Sequence, residues 1–99
     1  MVNNTVQDLP TAGSGAINVT PTSSHITIIC EGGVCTVTFT ETGAVNGNFF
    51  TVVNMGANAV TLADSAGVNE SAGTVLGQYD AASFRYVADR WVQTGASNN

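Results

Sequence analysis

Short runs of β-branched and aromatic residues, separated by Gly, Asn and Asp, dominate the chain from Asn48 to Thr94. Such runs, broken by turn-forming residues, are typical of β-strands joined by tight connections. No stretch combines a helical hydrophobic period with capping residues. The sequence therefore predicts an all-β protein, a small antiparallel β-sandwich or barrel built of hairpins.

Two β-branched runs, HITIIC and VCTVTFT, flank the glycine pair at 32–33. A two-residue turn there predicts a hairpin that sets Cys30 opposite Cys35 and Ile28 opposite Val37, with one face uniformly apolar. The two cysteines would occupy a non-hydrogen-bonded pair, where side chains are closest. A cross-strand disulfide is therefore possible, although two buried thiols acting as small hydrophobes are the preferred interpretation.

The run FFTVVNM is apolar on both faces, which indicates a central strand. A turn at Ala57–Asn58 would pair it with AVTLAD, and a turn at Ala88–Asp89 would close a final hairpin with Tyr86 opposite Trp91. Five aromatic residues are interpreted as core or subunit interface: Phe49, Phe50, Phe84, Tyr86 and Trp91.

The chain divides into three predicted segments. Residues 1–24 contain two prolines and the run TAGSG, which favour an extended N-terminal arm, with a β-domain at 25–95 and a disordered tail at 96–99. Sparse apolar residues in the arm, Val2, Val6 and Leu9, are candidate anchors for a partner.

Charged residues make up only 9% of the chain, against roughly 25% in a typical soluble domain. The net charge is −5 and Lys is absent, so the chain has no basic footprint for nucleic acid. No apolar run or N-terminal basic segment indicates a membrane span or a secretion signal. Neutral strands suit contacts with copies of the chain or with a larger assembly, where buried charges would be costly.

The sequence contains no group of residues suited to catalysis or to metal binding. The only histidine, His25, stands at the predicted start of a strand, and the two cysteines belong to one tight turn. Asp64 and Glu70 share a loop that lacks the alternating oxygen ligands of a calcium site. We therefore expect a non-enzymatic protein without a cofactor.

The segments FFTVVNMGANAVTLADSAG and GTVLGQYDAASFRYVADRWVQTG resemble β-structured virion proteins of tailed bacteriophages, namely tail-fibre domains and small capsid decoration proteins. The shared features are an aromatic strand ending in Asn54, the turn GAN, the Leu76–Gly77 bend and a terminal aromatic hairpin with Trp91. Ala88–Asp89–Arg90 replaces a glycine often found in the last turn. The resemblance covers about half of the chain.

The resemblance implies a homotrimeric, non-enzymatic virion component. Since the sequence starts at Met1 and has 99 residues, we expect a complete small protein, which favours a capsid decoration, or cement, protein on the capsid surface. Its partners would be sister copies and the major capsid protein, and Val2, Val6 and Leu9 of the arm would lie along the coat lattice. A tail-fibre or tail-tip receptor-binding domain is the alternative, and a secreted carbohydrate-binding module is a further one.

Overall fold

The computed structural model describes residues 5–10, 13–64, 69–70 and 73–98. These ranges contain strands and connections but no helix, and so none that could cross a membrane. The strands are β1 (Gln7–Leu9), β2 (Gly15–Val19), β3 (His25–Ile28), β4 (Cys35–Phe39), β5 (Phe49–Asn54), β6 (Val60–Leu62), β7 (Asn69–Glu70), β8 (Val75–Leu76), β9 (Ala81–Val87) and β10 (Arg90–Ser97).

The strands form two mixed sheets. The large sheet has the order β1-β3-β5-β9-β10-β7, and the small sheet has the order β2-β4-β6-β8. From β1 to β9 the chain alternates between the sheets, so β1, β3 and β5 run parallel, as do β2, β4 and β6. Strand β5 lies between β3 and β9, which confirms its predicted central position. The all-β prediction is also confirmed, whereas the predicted antiparallel hairpins are wrong for the pairs formed among the first six strands, which are all parallel.

Two of the predicted hairpins are arches instead. Strands β3 and β4 lie in different sheets, as do β5 and β6, so the turns at 32–33 and at Ala57–Asn58 carry the chain from one sheet to the other. Residues predicted to share a ladder, such as Ile28 and Val37, are buried in the core from opposite sheets. The alternation of apolar residues is the same in a hairpin and an arch, because both turn one face of each strand inward.

Cys30 and Cys35 form a disulfide, with their Cα atoms 6.1 Å apart. Cys35 opens β4 in the small sheet, and Cys30 lies just beyond β3 of the large sheet. Both residues are 1% exposed. The bond therefore spans the arch between the sheets, and the preferred interpretation of two free thiols is not what the structure contains.

The structure confirms both the predicted register and the predicted turn of the final hairpin. Strands β9 and β10 are antiparallel, with Tyr86 opposite Trp91 and Phe84 opposite Gln93. Ala88 and its neighbour Asp89 have φ values of 52° and 63°. Two successive positive φ values are the mark of a type I′ turn, whose twist matches that of the flanking strands.

Strands near both ends of the described chain, β1 at Gln7–Leu9 and β10 at Arg90–Ser97, take part in the sheets. Strand β1 pairs with β3 and β2 pairs with β4, so the described part of segment 1–24 is not a separate arm. Val6 is 53% exposed, Leu9 packs against the core, and Val2 lies outside the described residues. The prediction of a disordered tail is corrected for Ala96 and Ser97, which pair with β9.

Aromatic rings fill the space between the sheets. The Phe50 ring lies 4.6 Å from that of Phe39, 5.2 Å from that of Phe84 and 4.8 Å from that of Trp91, between centroids. Trp91 is fully buried, and its indole Nε1 donates a hydrogen bond to the Thr40 carbonyl at 2.9 Å. This bond satisfies the one polar group of the largest buried side chain.

Removing the disulfide in the double variant C30A/C35A is expected to lower the free energy of unfolding by about 2 kcal/mol, because the cross-link closes a loop of only a few residues. Urea denaturation of the variant and of the oxidised protein measures the difference. Reduction of the unmodified protein should produce a similar loss. A variant as stable as the oxidised protein would show that the bond does not stabilise the arch.

Candidate interaction surfaces

The outer side of the small sheet carries no ionisable side chain among its described strand residues. Because side chains alternate along a strand, the inward positions are the core residues and the others face outward. One row crosses all four strands through Ala16, Thr36, Thr61 and Val75. We call the outward residues the threonine face: Ala16, Asn18, Thr36, Thr38, Thr61 and Val75.

The outer side of the large sheet is also rich in small neutral residues, but its margins carry charge. The hydroxyl groups of Thr51 and Ser83 lie 3.0 Å apart across β5 and β9. At one margin the Thr27 hydroxyl donates a hydrogen bond to a carboxylate oxygen of Asp8 at 2.7 Å. At another, the guanidinium carbon of Arg85 lies 5.7 Å from the centroid of the Phe49 ring.

Phe49 differs in solvent exposure from the other aromatic residues that were assigned to the core or a subunit interface. Its side chain is 51% exposed, whereas Phe50, Phe84, Tyr86 and Trp91 are buried. Burial of these four in the chain's own core leaves Phe49 as the member of the set able to meet a partner.

A buried asparagine closes the corner after β5. The Asn54 amide nitrogen donates to the carbonyls of Asn58 and Leu76, each at 2.9 Å, and its amide oxygen accepts from the Gly56 N–H at 3.0 Å. Asn58 in turn donates to the Cys30 carbonyl at 2.6 Å. The Asn54 side chain thus links the β5–β6 arch to β8, a structural role that the sequence pattern did not reveal.

A cleft of about 520 Å³ opens between the β2–β3 and β4–β5 connections. Its lining residues are neutral: Thr20, Pro21, Thr22, Thr42, Gly43, Val45 and Asn48. None is aromatic, so the cleft lacks the flat ring on which a sugar typically stacks. None is ionisable, which leaves no general acid or base for catalysis there.

Potential metal ligands do not gather in the part of the chain that the structure describes, where no group of three or more His, Cys, Asp or Glu side chains occurs. His25 lies exposed at the start of β3. Asp64 is exposed, and the side chain of Glu70 lies outside the described residues.

Tyr86 has a raised pKa in the folded protein. Burial raises the pKa of its phenol above the ordinary value of 10.0, and the nearby carboxylates of Glu41 and Asp89 raise it further. The folded state therefore holds this proton more tightly than the unfolded chain does. The contribution of this phenol to the folding stability is fully present below its pKa in the unfolded chain. It is lost as the pH rises through its pKa in the folded protein.

We expect the Y86F variant to lose less stability than the unmodified protein when the pH is raised from 9 to above about 10, where phenols ionise. Thermal unfolding followed by circular dichroism across this range measures the effect. Y79F is the matched control, because Tyr79 is 53% exposed. Identical alkaline profiles for Y86F and the unmodified protein would show that Tyr86 does not contribute.

Comparisons with protein-family models, with curated proteins and with solved structures found no match to this chain.

Proposed function

We propose that this protein is a non-enzymatic virion component, a capsid decoration protein that forms a homotrimer and binds the outer coat lattice of a tailed bacteriophage. The observation that carries the proposal is the threonine face, a surface without ionisable side chains on a chain that has only 9% charged residues. The resemblance of Phe49–Gly67 and Gly73–Gly95 to phage virion proteins supplies the biological setting.

The threonine face suits repeated contact with a protein lattice. Its side chains are short, so few rotamers are lost when the surface is covered, and no ion must be stripped of water. Its hydroxyl and amide groups can form hydrogen bonds with a partner. Each contact would be weak, and three faces held in one trimer would bind together through avidity.

Trimer formation is assigned to the other side of the molecule. Phe49 is a half-exposed aromatic ring next to Arg85, and aromatic and arginine side chains are enriched where subunits meet. The outer face of the large sheet would then join the three copies, and the threonine face of each copy would stay uncovered and able to contact coat subunits. Of the anchors first assigned to an arm, Val6 is exposed, Leu9 packs against the chain's own core, and Val2 lies outside the described residues.

The variant T36K/T61K should weaken binding to coat shells at least about tenfold, because two ammonium groups would have to be desolvated at the contact. Co-sedimentation with shells of the source phage measures binding. T22K/T42K, which adds the same charge at exposed connections, is the control. Equal binding by T36K/T61K and the control would remove the threonine face from the proposal, and binding to a glycan array instead of shells would favour a carbohydrate-binding module.

A further inference from the structure

Strand β2 exposes an unpaired backbone edge. It is the outermost strand of the small sheet, and β4 is its only partner among the described strands. The Gly15 N–H donates to the Val34 carbonyl at 3.0 Å, and the Thr40 N–H donates to the Val19 carbonyl at 2.8 Å. Since hydrogen-bonding directions alternate along a parallel strand, the N–H and C=O groups of Ala16 and Asn18 point away from β4.

This edge lacks the features that keep sheet edges from pairing. Strands β7 and β8, at the far edges of the two sheets, have two residues each. Strand β1 has three residues, carries Asp8 and is followed by Pro10. Strand β2 has five residues, GAINV, with neither a charge nor a proline. Short length, charge and proline block edge pairing in natural sheets, and β2 has none of these features, so it is open to such pairing.

We propose that β2 pairs with β2 of a second copy of this chain, antiparallel about a two-fold axis at Ile17. Ala16 of each copy then lies opposite Asn18 of the other, and each such pair exchanges two backbone hydrogen bonds. No charges meet, because the strand has none. Ile17 is only partly buried at this end of the core, and it would lie against the same residue of the partner.

A second copy fits this edge because the strand is complementary to itself. An isologous two-fold contact requires one surface to supply both donors and acceptors in symmetric positions, and Ala16 and Asn18 do so around Ile17. A five-residue strand covers far less than the roughly 800 Å² per partner of a stable interface. The contact is therefore weak on its own. It is distinct from the threefold contact proposed above and does not depend on it.

Disulfide trapping tests the pairing. In the proposed register the two Ile17 residues form a non-hydrogen-bonded pair with Cα atoms about 4.5 Å apart, within the range that a disulfide bridges. We expect I17C to form a covalent dimer on mild oxidation, with the 17–17 link confirmed by peptide mass spectrometry. T36C, which exposes a thiol on the neighbouring strand, is the control and should yield at least about tenfold less dimer.

Proline at position 18 distinguishes cross-linking that results from β2 edge pairing from cross-linking that results from random collision. N18P in the I17C background removes an edge-facing N–H but no bond to β4, so the fold, followed by circular dichroism, should persist while dimer formation falls at least tenfold. Two results would overturn the proposal: I17C that forms no more dimer than T36C, or cross-linking of I17C that is unchanged by N18P.

Discussion

Replacing Phe50 with alanine is expected to lower the free energy of unfolding by about 3–5 kcal/mol. Phe50 is fully buried on the central strand, and its ring contacts those of Phe39, Phe84 and Trp91. Alanine would leave a cavity where the rings of both sheets meet. A domain of this size is stable by about 5–15 kcal/mol, so the variant would lose a large part of its total stability.

Phe49 provides the matched control in the neighbouring position. It is the same residue type on the same strand, but it is 51% exposed and its ring faces Arg85 instead of the core. We expect F49A to cost less than about 1 kcal/mol in the isolated subunit. Urea denaturation followed by Trp91 fluorescence measures both variants. Equal losses for F50A and F49A would show that the inward and outward faces of β5 are assigned incorrectly.

Replacing Asn54 with aspartate is expected to cost about 3–5 kcal/mol at neutral pH, although the side chain keeps its shape. The amide donates two hydrogen bonds to backbone carbonyls in a fully buried position, and a carboxylate would instead place charge against those carbonyls. Asn46→Asp makes the same chemical change in an exposed turn, and its expected cost is below about 0.5 kcal/mol.

The N54D variant also has a diagnostic pH dependence. Burial raises the pKa of the introduced carboxyl above the value of about 3.9 in the unfolded chain. The folded state then binds the proton more tightly, so the variant is least destabilised near pH 4 and loses stability as the pH rises through the raised pKa. Thermal unfolding between pH 4 and 8 measures this trend. A pH-independent loss would contradict the buried, donor-only role of the Asn54 amide nitrogen.

The sequence pattern predicted local structure better than the arrangement of strands. The alternation of apolar residues located most strands, and the Ala88–Asp89 turn defined the one hairpin in which both strands share a sheet. The arches at 32–33 and at Ala57–Asn58 were mistaken for hairpins, because inward-facing residues such as Ile28 and Val37 meet in either arrangement. Only the pairing of β3 with β5, and of β4 with β6, distinguishes an arch from a hairpin at these turns.

The candidate surfaces, like the fold, could be predicted from the sequence only in part. Low charge predicted a neutral surface, but the threonine face joins residues from four strands that are distant in sequence, as in the row Ala16, Thr36, Thr61 and Val75. No local pattern places such residues side by side. The aromatic set was predicted as a group, and the strand register then separated exposed Phe49 from its buried neighbours.

The mass of the native protein in solution tests most directly the claim that this neutral surface is built for contact with other subunits. Multi-angle light scattering at micromolar concentration should give about 30 kDa, three times the 10.1 kDa of one chain. The F49A variant should shift this particle toward the single chain. A 10.1 kDa particle at every concentration would contradict the account.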